Sequence, residues 1–423
     1  MPVFAPRIHL AFPKLRAVDV QTRHQNGHAY YLLADPLELA EDSLLVPQAF
    51  GPVLALCDGT LADAAAIRYA LARRYQMTVD VETVGDVLAA LDEACLLENE
   101  RSAEAIQRKI VEYRALPARP TSHAGLAYPD DPAALTRLLD SYLHKPISPR
   151  GVDDSLHRNG SALRRDVRGI FSPHIDYTRG GPVYARTWQA GEEAANDAEL
   201  VILIGTDHYG NDLFTLTRQS YATPFGLLPT DTDVVDELAQ AAGSEAAYAG
   251  EMRHQREHSL ELVAVWLQHA RRRKPVALVP VLVGGLHRFF GNSSSPSADS
   301  RIRAFVETVQ RHATHKKTLV VASGDLSHVG PAFGGQPLTQ ASRIRLRSAD
   351  DGLLVQMTAG DGEGFYRSIR GVQDRNNVCG VTPGYLTLKI LGEGVRGARL
   401  AYDTCSADEA DTSAVTIGGV VFG

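Results

Sequence analysis

The sequence predicts an α/β fold, a mainly parallel sheet with helices on both faces, preceded by a small winged-helix-like domain. Three observations lead there. Between Arg168 and Gly330, short β-branched runs alternate with segments of helical spacing, which is how a parallel sheet covered on both sides is written. The strand candidates are apolar throughout, as strands buried on both faces must be. The chain of 423 residues is also longer than one core usually organises. Its charge is divided: His28 to Glu100 holds thirteen acidic and three basic residues, a net of −10 within a chain whose total is −7. That contrast marks a domain boundary.

Residues 1–27 read as an amino-terminal extension, 28–100 as the acidic module, 101–120 as a linker and 121–423 as the α/β domain. In the module, His28 to Leu33 has strand composition and a turn follows at Asp35-Pro36. Val46 to Cys57, Ala62 to Tyr75 and Val84 to Ala94 have helical spacing, the last with Val84, Val87, Leu88 and Leu91 on one stripe. Cys95 to Leu97 either opens a wing or ends that helix. A strand with three short helices suggests a winged helix, but its acidity would repel phosphates, which excludes nucleic acid as a partner.

Ala115 to Pro120 is proline-rich, as linkers are. Asp131-Pro132 opens a helix running to Leu143, His144 to Gly160 reads as loop, and Asn292 to Ser300 as a flexible surface insertion. The strand candidates of the α/β domain are Gly169 to Ser172, Leu200 to Gly205, Val276 to Val283 and Thr318 to Ser323. Helices fit Val183 to Trp188, Asp233 to Ala242, Ser259 to Ala270, Ile302 to His312 and Tyr385 to Leu391.

Composition excludes several classes. No run approaches the roughly 20 apolar residues of a membrane span, and Met1 to Val20 lacks the apolar core of a signal peptide, so the expected location is the cytoplasm with no membrane partner. Four well-separated cysteines make neither a disulfide framework nor a CxxC zinc knuckle.

Three of the strands run into polar clusters: Ser172-Pro173-His174, Gly205-Thr206-Asp207-His208, and Gly324-Asp325-Leu326-Ser327-His328. In open α/β sheets the carboxyl ends of the strands share one rim, so a single pocket is expected. Any of the fifteen histidines taken alone is more often structural than functional; three at the same topological place, each beside a carboxylate or hydroxyl, favour a site. Cys379 precedes a helical segment, where the dipole would lower its pKa and favour the thiolate that ligates metals or attacks electrophiles. Cys57 and Cys95 read as packing residues. Glu257 could orient a histidine or accept a proton and His258 could line the rim, while capping by Ser259 with Glu261 in the first turn is an equal alternative. Asp325 and His328 have the spacing of an acid/base pair, with metal ligation open to them as well.

PHIDYTRGGPVYA, IGTDHYG, EHSLEL, SGDLSHVG and VCG occur here in the order seen in the Memo family, whose members are also known as protein B of the AmmeMemoRadiSam system. Ala124-Gly125-Leu126-Ala127-Tyr128-Pro129 resembles that family's opening GxWYP segment, so the resemblance covers residues 120–423. It implies a fold similar to class III extradiol dioxygenases of the LigB type, and a metal held by His174, His208 and Cys379. Asp325, His328, Glu257 and His258 match further pocket residues and are the candidate catalytic groups. The implied cofactor is a divalent or redox metal, iron or copper, with zinc as a third option. Where the family has PHAGY this chain has PHIDY, which adds Asp176 as an extra carboxylate; the change after EHS, Leu262 to Trp266, concerns packing. More loosely, YLLxDP, the CDG turn and LDEACLL resemble PqqD-like modules, which hold precursor peptides by strand addition; a plain docking appendage is the alternative. The functions in view are a metal-dependent redox or dioxygenase-like enzyme on a small molecule or modified peptide, a copper- or iron-binding or metal-delivering protein without turnover, and a peptide-binding accessory whose partner is a radical SAM system.

Overall fold

The structure, a computed structural model, describes residues 11–35, 37–40, 43–145, 166–291 and 295–423. Pro36 of the expected turn, most of the loop expected over His144 to Gly160, and the first part of Asn292 to Ser300 lie outside the described residues. The chain divides into two compact units, Met1–Ala115 and Leu116–Gly423.

In the first unit β1 (Asp19–Gln25), β2 (His28–Ala34) and β3 (Leu44–Pro47) form an antiparallel sheet in that order. The helices α1 (Gly51–Leu56), α2 (Ala64–Tyr75), α3 (Val81–Glu93) and α4 (Glu100–Ala115) follow. Asp63 and Asp80 cap α2 and α3 by accepting from Ala66 N and Thr83 N, which satisfies donors that a helix start leaves unpaired. The expected helix from Val46 begins instead as a strand: Val46 pairs with Tyr31, and helix starts only at Gly51-Pro52. No wing hairpin follows α3, because Cys95 takes a left-handed turn and Leu97 makes a single bridge to Leu15. The stretch expected as linker carries α4, whose Ser102, Ala105, Ile110 and Tyr113 form a buried stripe in an otherwise polar, helix-favouring sequence. All seven residues of β1 are exposed, and among the described residues β1 is an edge strand of the sheet.

The second unit opens with α5 (Pro132–Leu143), capped by Asp131, whose side chain accepts from Ala134 N. There follow β4 (Gly169–Ser172), α6 (Tyr177–Asp197), β5 (Leu200–Thr206), β6 (Thr215–Leu216), β7 (Tyr221–Thr223), β8 (Gly226–Leu228), α7 (Thr232–Ala242) and α8 (Ser244–Ala249). Then come α9 (His258–Ala270), β9 (Ala277–Val283), α10 (Ser300–Ala313), β10 (Thr318–Ser323), β11 (His328–Val329), α11 (Gln340–Thr358), α12 (Gly362–Gly371), α13 (Val381–Leu391), β12 (Gly397–Ser406) and β13 (Ala414–Phe422). The main sheet runs β11-β13-β4-β10-β5-β9-β6 with β12 on the outer side of β13. β4, β10, β5 and β9 are mutually parallel, while β13 against β4 and β6 against β9 are antiparallel.

Alternating side chains explain the two covering layers. Leu200, Ile202 and Ile204 of β5 join Val320 and Ala322 of β10 in one core, packed with residues of α7, α10, α12 and α13. Val201 and Leu203 join Leu319 and Val321 in the other, with residues of α5, α6 and α9. The register decides where the site falls. Ser172 pairs with Ser323, Ser323 with Gly205, and Gly205 with Leu282, so the parallel strands end nearly level and deliver their following residues to one rim.

The carboxy-terminal hairpin, β12 and β13, was not expected from the sequence: Gly418-Gly419 interrupts its apolar run. It fixes the rim nonetheless, since Leu326 N donates to Thr416 O, Ser327 N to Thr416 Oγ1 and Thr416 N to Ser327 O. Ser295 to Ser300 is no loose insertion; Ser295 Oγ donates to Glu363 at 2.6 Å and Pro296 is buried. Among the described residues no helix is long and apolar enough to cross a membrane.

Candidate metal centre

His174 leaves β4, His208 leaves β5, and the Asp325 to His328 segment leaves β10, all at the carboxyl rim of the sheet. Cys379 arrives from a different direction, on the loop before α13. One ligand atom from each of His174, His208 and Cys379 lies within 4.8 Å of the other two. The thiol is 3.2 Å from His174 Nε2, and the two imidazole centroids are 5.0 Å apart. Two further groups adjoin: His208 with Glu257 and His258, and Cys379 with Asp325 and His328.

The hydrogen bonds behind the rings determine which nitrogen faces the cluster. Ser323 Oγ donates to Ser259 O, so toward His174 it acts as acceptor, and its 3.2 Å contact is with His174 Nδ1. His208 Nδ1 lies 3.0 Å from Glu257 Oε1. Both rings therefore carry hydrogen on Nδ1 and turn Nε2, the nitrogen that would ligate, toward the cluster, which is how a ligating imidazole is usually held. Two imidazole nitrogens and a sulfur are donors that suit a transition metal of borderline or soft character. By this donor chemistry the residues fit a metal.

Glu257, fully buried, caps α9 by accepting from Ser259 N at 2.9 Å, and it takes His208 N at 2.8 Å on its other oxygen. His258 Nδ1 is 3.2 Å from the same Oε1 that holds His208, and the His208 and His258 rings stack at 4.7 Å with 21° between planes. Burial works to raise the Glu257 pKa, but the hydrogen bond from His208 and the nearby imidazoles hold it down at about 2. Ser259 is no cap: its Oγ donates to Thr206 O. Burial pushes His258 down to about 4 and His328 likewise to about 4, so both are neutral bases at pH 7. For His208, Glu257 and Cys379 outweigh burial and hold the pKa well above its ordinary value. His174, buried among other imidazoles, lies well below it.

Asp325 is buried, and burial raises it to about 6 even though Oδ1 accepts from His174 N at 2.8 Å and Ile175 N at 3.2 Å. Its Oδ2 stands 4.0 Å from His174 Nε2. His328 Nδ1 lies 3.1 Å from Asn377 O, which again leaves Nε2 for the pocket. The expectation for Cys379 reverses in one respect: burial pushes its thiol up, against the opposing pull of His208, because it precedes the cap of α13 and lies under the rim. Two backbones meet here without side chains. A Cβ on Gly324 would fall 2.3 Å from Gly380 Cα, so glycine at 324 lets the Asp325 and Cys379 loops touch. Gly380 N donates to Asp325 O, and His328 N to Asn376 O.

Asp176 is not the extra ligand its sequence position suggested. It caps α6 through Arg179 N and pairs with Arg179 Nε at 2.6 Å, and among the described residues it belongs to none of the clustered donor groups. Trp266, as expected, packs, stacked on Tyr184. Cys57, Cys95 and Cys405 are buried and, among the described residues, belong to none of the clustered donor groups.

Sequence reasoning missed a second layer. Arg119, within the stretch read as linker, is fully buried and paired with Glu261, one turn beyond Glu257 on α9. Glu261 also accepts from Ser122 N, His123 N and Tyr128 OH. The only signal was the proximity of Arg119 to the motif at Ala124 to Pro129.

The fold and site together define a class: an α/β protein with a candidate transition-metal centre of two imidazoles and a thiol at the carboxyl rim of a parallel sheet. The family model "Memo-like protein" matches residues 119–421, and the chain belongs to that family. A "MEMO1 family protein" of Aquifex aeolicus is 25% identical over 414 residues, covering 97% of this chain and 99% of that one; that alignment includes the amino-terminal unit. A "MEMO1 family protein" of Nitrosopumilus maritimus is 25% identical over 309 residues, 70% of this chain and 96% of its own length. A third, from Archaeoglobus fulgidus, is 25% identical over 304 residues, 71% and 97%.

Proposed function

We propose that the chain is a metal-dependent redox or dioxygenase-like enzyme acting on a small molecule or a modified peptide, with His174, His208 and Cys379 holding iron or copper. One observation carries the reading: both imidazoles are locked by partners at Nδ1 so that their Nε2 atoms face the Cys379 sulfur. A redox metal bound there would supply electron transfer and a Lewis acid for an oxygen on the substrate. The remaining residues handle protons. Asp325, with one oxygen engaged by backbone and a pKa near 6, holds or releases a proton at Oδ2 close to neutral pH, and His328 accepts at Nε2.

Metal analysis of anaerobically purified protein tests this reading. His174→Ala, His208→Ala and Cys379→Ser should each lose metal with unchanged circular dichroism; full metal content in His174→Ala would reject the ligand set. A second reading, custody of copper without turnover, is favoured by the thiolate and two imidazoles, a good Cu(I) donor set. Tight Cu(I) binding with no dioxygen consumption across phenolic substrates would select it. The seven exposed residues at the β1 edge favour a peptide-capturing role for the first unit; equal peptide pull-down after removal of residues 1–115 would reject it.

A further inference from the structure

We infer that His123, with Glu261 behind it, is a substrate-contacting residue of this site, accepting a hydrogen bond from a hydroxyl or amine of the ligand. The inference rests on the metal-centre reading above and names the ligand chemistry that goes with it.

Helix α9 begins with two buried carboxylates one turn apart, Glu257 and Glu261. Like charges at that spacing repel, so each needs compensation. The helix amino terminus contributes some, and Arg119 pairs with Glu261 out of solvent. Each carboxylate also serves an imidazole. Glu257 accepts from Nδ1 of His208 and lies 3.2 Å from Nδ1 of His258. Glu261 Oε2 lies 3.3 Å from His123 Nδ1, and Ser122 Oγ, 3.0 Å from the same oxygen, is 2.9 Å from that nitrogen. The pattern repeated on His123 is the one that fixes the candidate metal ligands.

His123 has a quarter of its side chain exposed, and its ring meets His258 edge-on at 6.0 Å. His258 in turn lies 5.2 Å from His174 and 4.7 Å from His208, centroid to centroid. His123 therefore stands at the far end of a row of imidazoles that leads to the three metal donors. Among the described residues it takes no part in the clustered donor groups, which leaves its Nε2 for a ligand. With Nδ1 held by the carboxylate, Nε2 is an acceptor. His328 presents an acceptor by the same logic, and the charges of Glu257 and Glu261 are taken up by His208 and Arg119. A wall of imidazole acceptors favours ligand O–H and N–H groups. Sequence position gives no hint of this, because His123 sits on the segment before α5 and not at a strand end.

Two measurements on the full chain test the inference. The first is long-range 1H–15N correlation of the imidazoles in metal-free protein. His123 should appear with hydrogen on Nδ1, and Glu261→Asp, which keeps a carboxylate but draws it back, should move it toward Nε2; hydrogen on Nε2 in the wild type would overturn the inference. The second is titration of iron-loaded protein with 4-nitrocatechol, a diol whose absorbance reports its binding. His123→Gln, which leaves the Arg119 to Glu261 pair in place, should keep the metal content and weaken the probe at least tenfold. Equal affinity in His123→Gln, or no binding of the diol by iron-loaded wild type, would also overturn it. Failure of the wild type to bind iron or copper defeats the metal reading instead, and the imidazole spectra still decide the state of His123.

Discussion

Replacing Glu257 by Gln changes almost no volume and removes one charge, yet the geometry leaves the amide no acceptable orientation. One carboxylate oxygen accepts from His208 N; the other faces His208 Nδ1, Ser259 N and His258 Nδ1. If the amide oxygen takes the second place, its NH2 group confronts the His208 N–H, and a partly buried donor left without an acceptor costs up to roughly 1–3 kcal/mol. If the amide turns over, its NH2 faces both imidazoles, which must then move their hydrogens to Nε2 and withdraw the lone pair offered to the metal. In either orientation the hydrogen bond to His208 loses charge assistance. We expect the metal-free protein to lose about 2–4 kcal/mol of stability by this accounting. Metal affinity should fall about 10- to 100-fold, as is usual when the partner behind a ligating histidine is lost. Thermal unfolding of the metal-free form, and competition with a chromophoric chelator for Cu(I) or Fe(II), measure the two effects separately. Unchanged affinity alongside the expected loss of stability would refute the claim that Glu257 fixes the ring tautomer.

Arg119→Met leaves Glu261 buried without its cation and should destabilise by about 3–5 kcal/mol in denaturant titration; a loss below 1 kcal/mol would show that Glu261 is satisfied by its other donors. Gly324→Ala places a methyl against Gly380 Cα and should cost about 1–3 kcal/mol while lowering metal affinity, read by calorimetry and chelator competition. His254 is buried with Nδ1 against Tyr221 OH, and burial depresses its pKa to about 3. The unfolded chain binds that proton more readily, so the contribution of neutral His254 is intact above pH 6.5. It is lost as pH falls toward 3, by up to about 1.36 kcal/mol per pH unit. His254→Gln should flatten the acid limb of a stability profile, and an unchanged slope would assign acid lability elsewhere.

Most of the second unit was legible because its signals are local. Buried parallel strands are short apolar runs, and the residues after β4, β5 and β10 could be assigned to one rim from topology alone. Cys379 came within reach of that rim through motif order, although its local setting pointed toward an easily ionised thiol; burial under the rim, invisible in sequence, decides otherwise. Val46 was misplaced because a four-residue strand pairing with β2 overrides helical spacing, a tertiary effect on a short segment. α4 was read as linker because alanine and charged residues carry no strong apolar periodicity, and its buried stripe emerges only once Tyr113 and Ile110 find a surface. Arg119 and His123 were passed over for a related reason. Their roles depend on Glu261, some 140 positions away, and no spacing rule connects them. The hairpin of β12 and β13 was hidden by Gly418-Gly419, of which Gly419 leaves room for Thr187 of α6.

That hairpin has a consequence for biogenesis. The segment carrying Asp325 and His328 is tied down by Thr416, and β4 shares its outer edge with β13. During translation these anchors emerge after every other element described. Until they arrive, the strand bearing His174 has a bare flank and the arm with Asp325 has nothing to grip. The nascent polypeptide thus carries His174 and Asp325 before it can hold either in place.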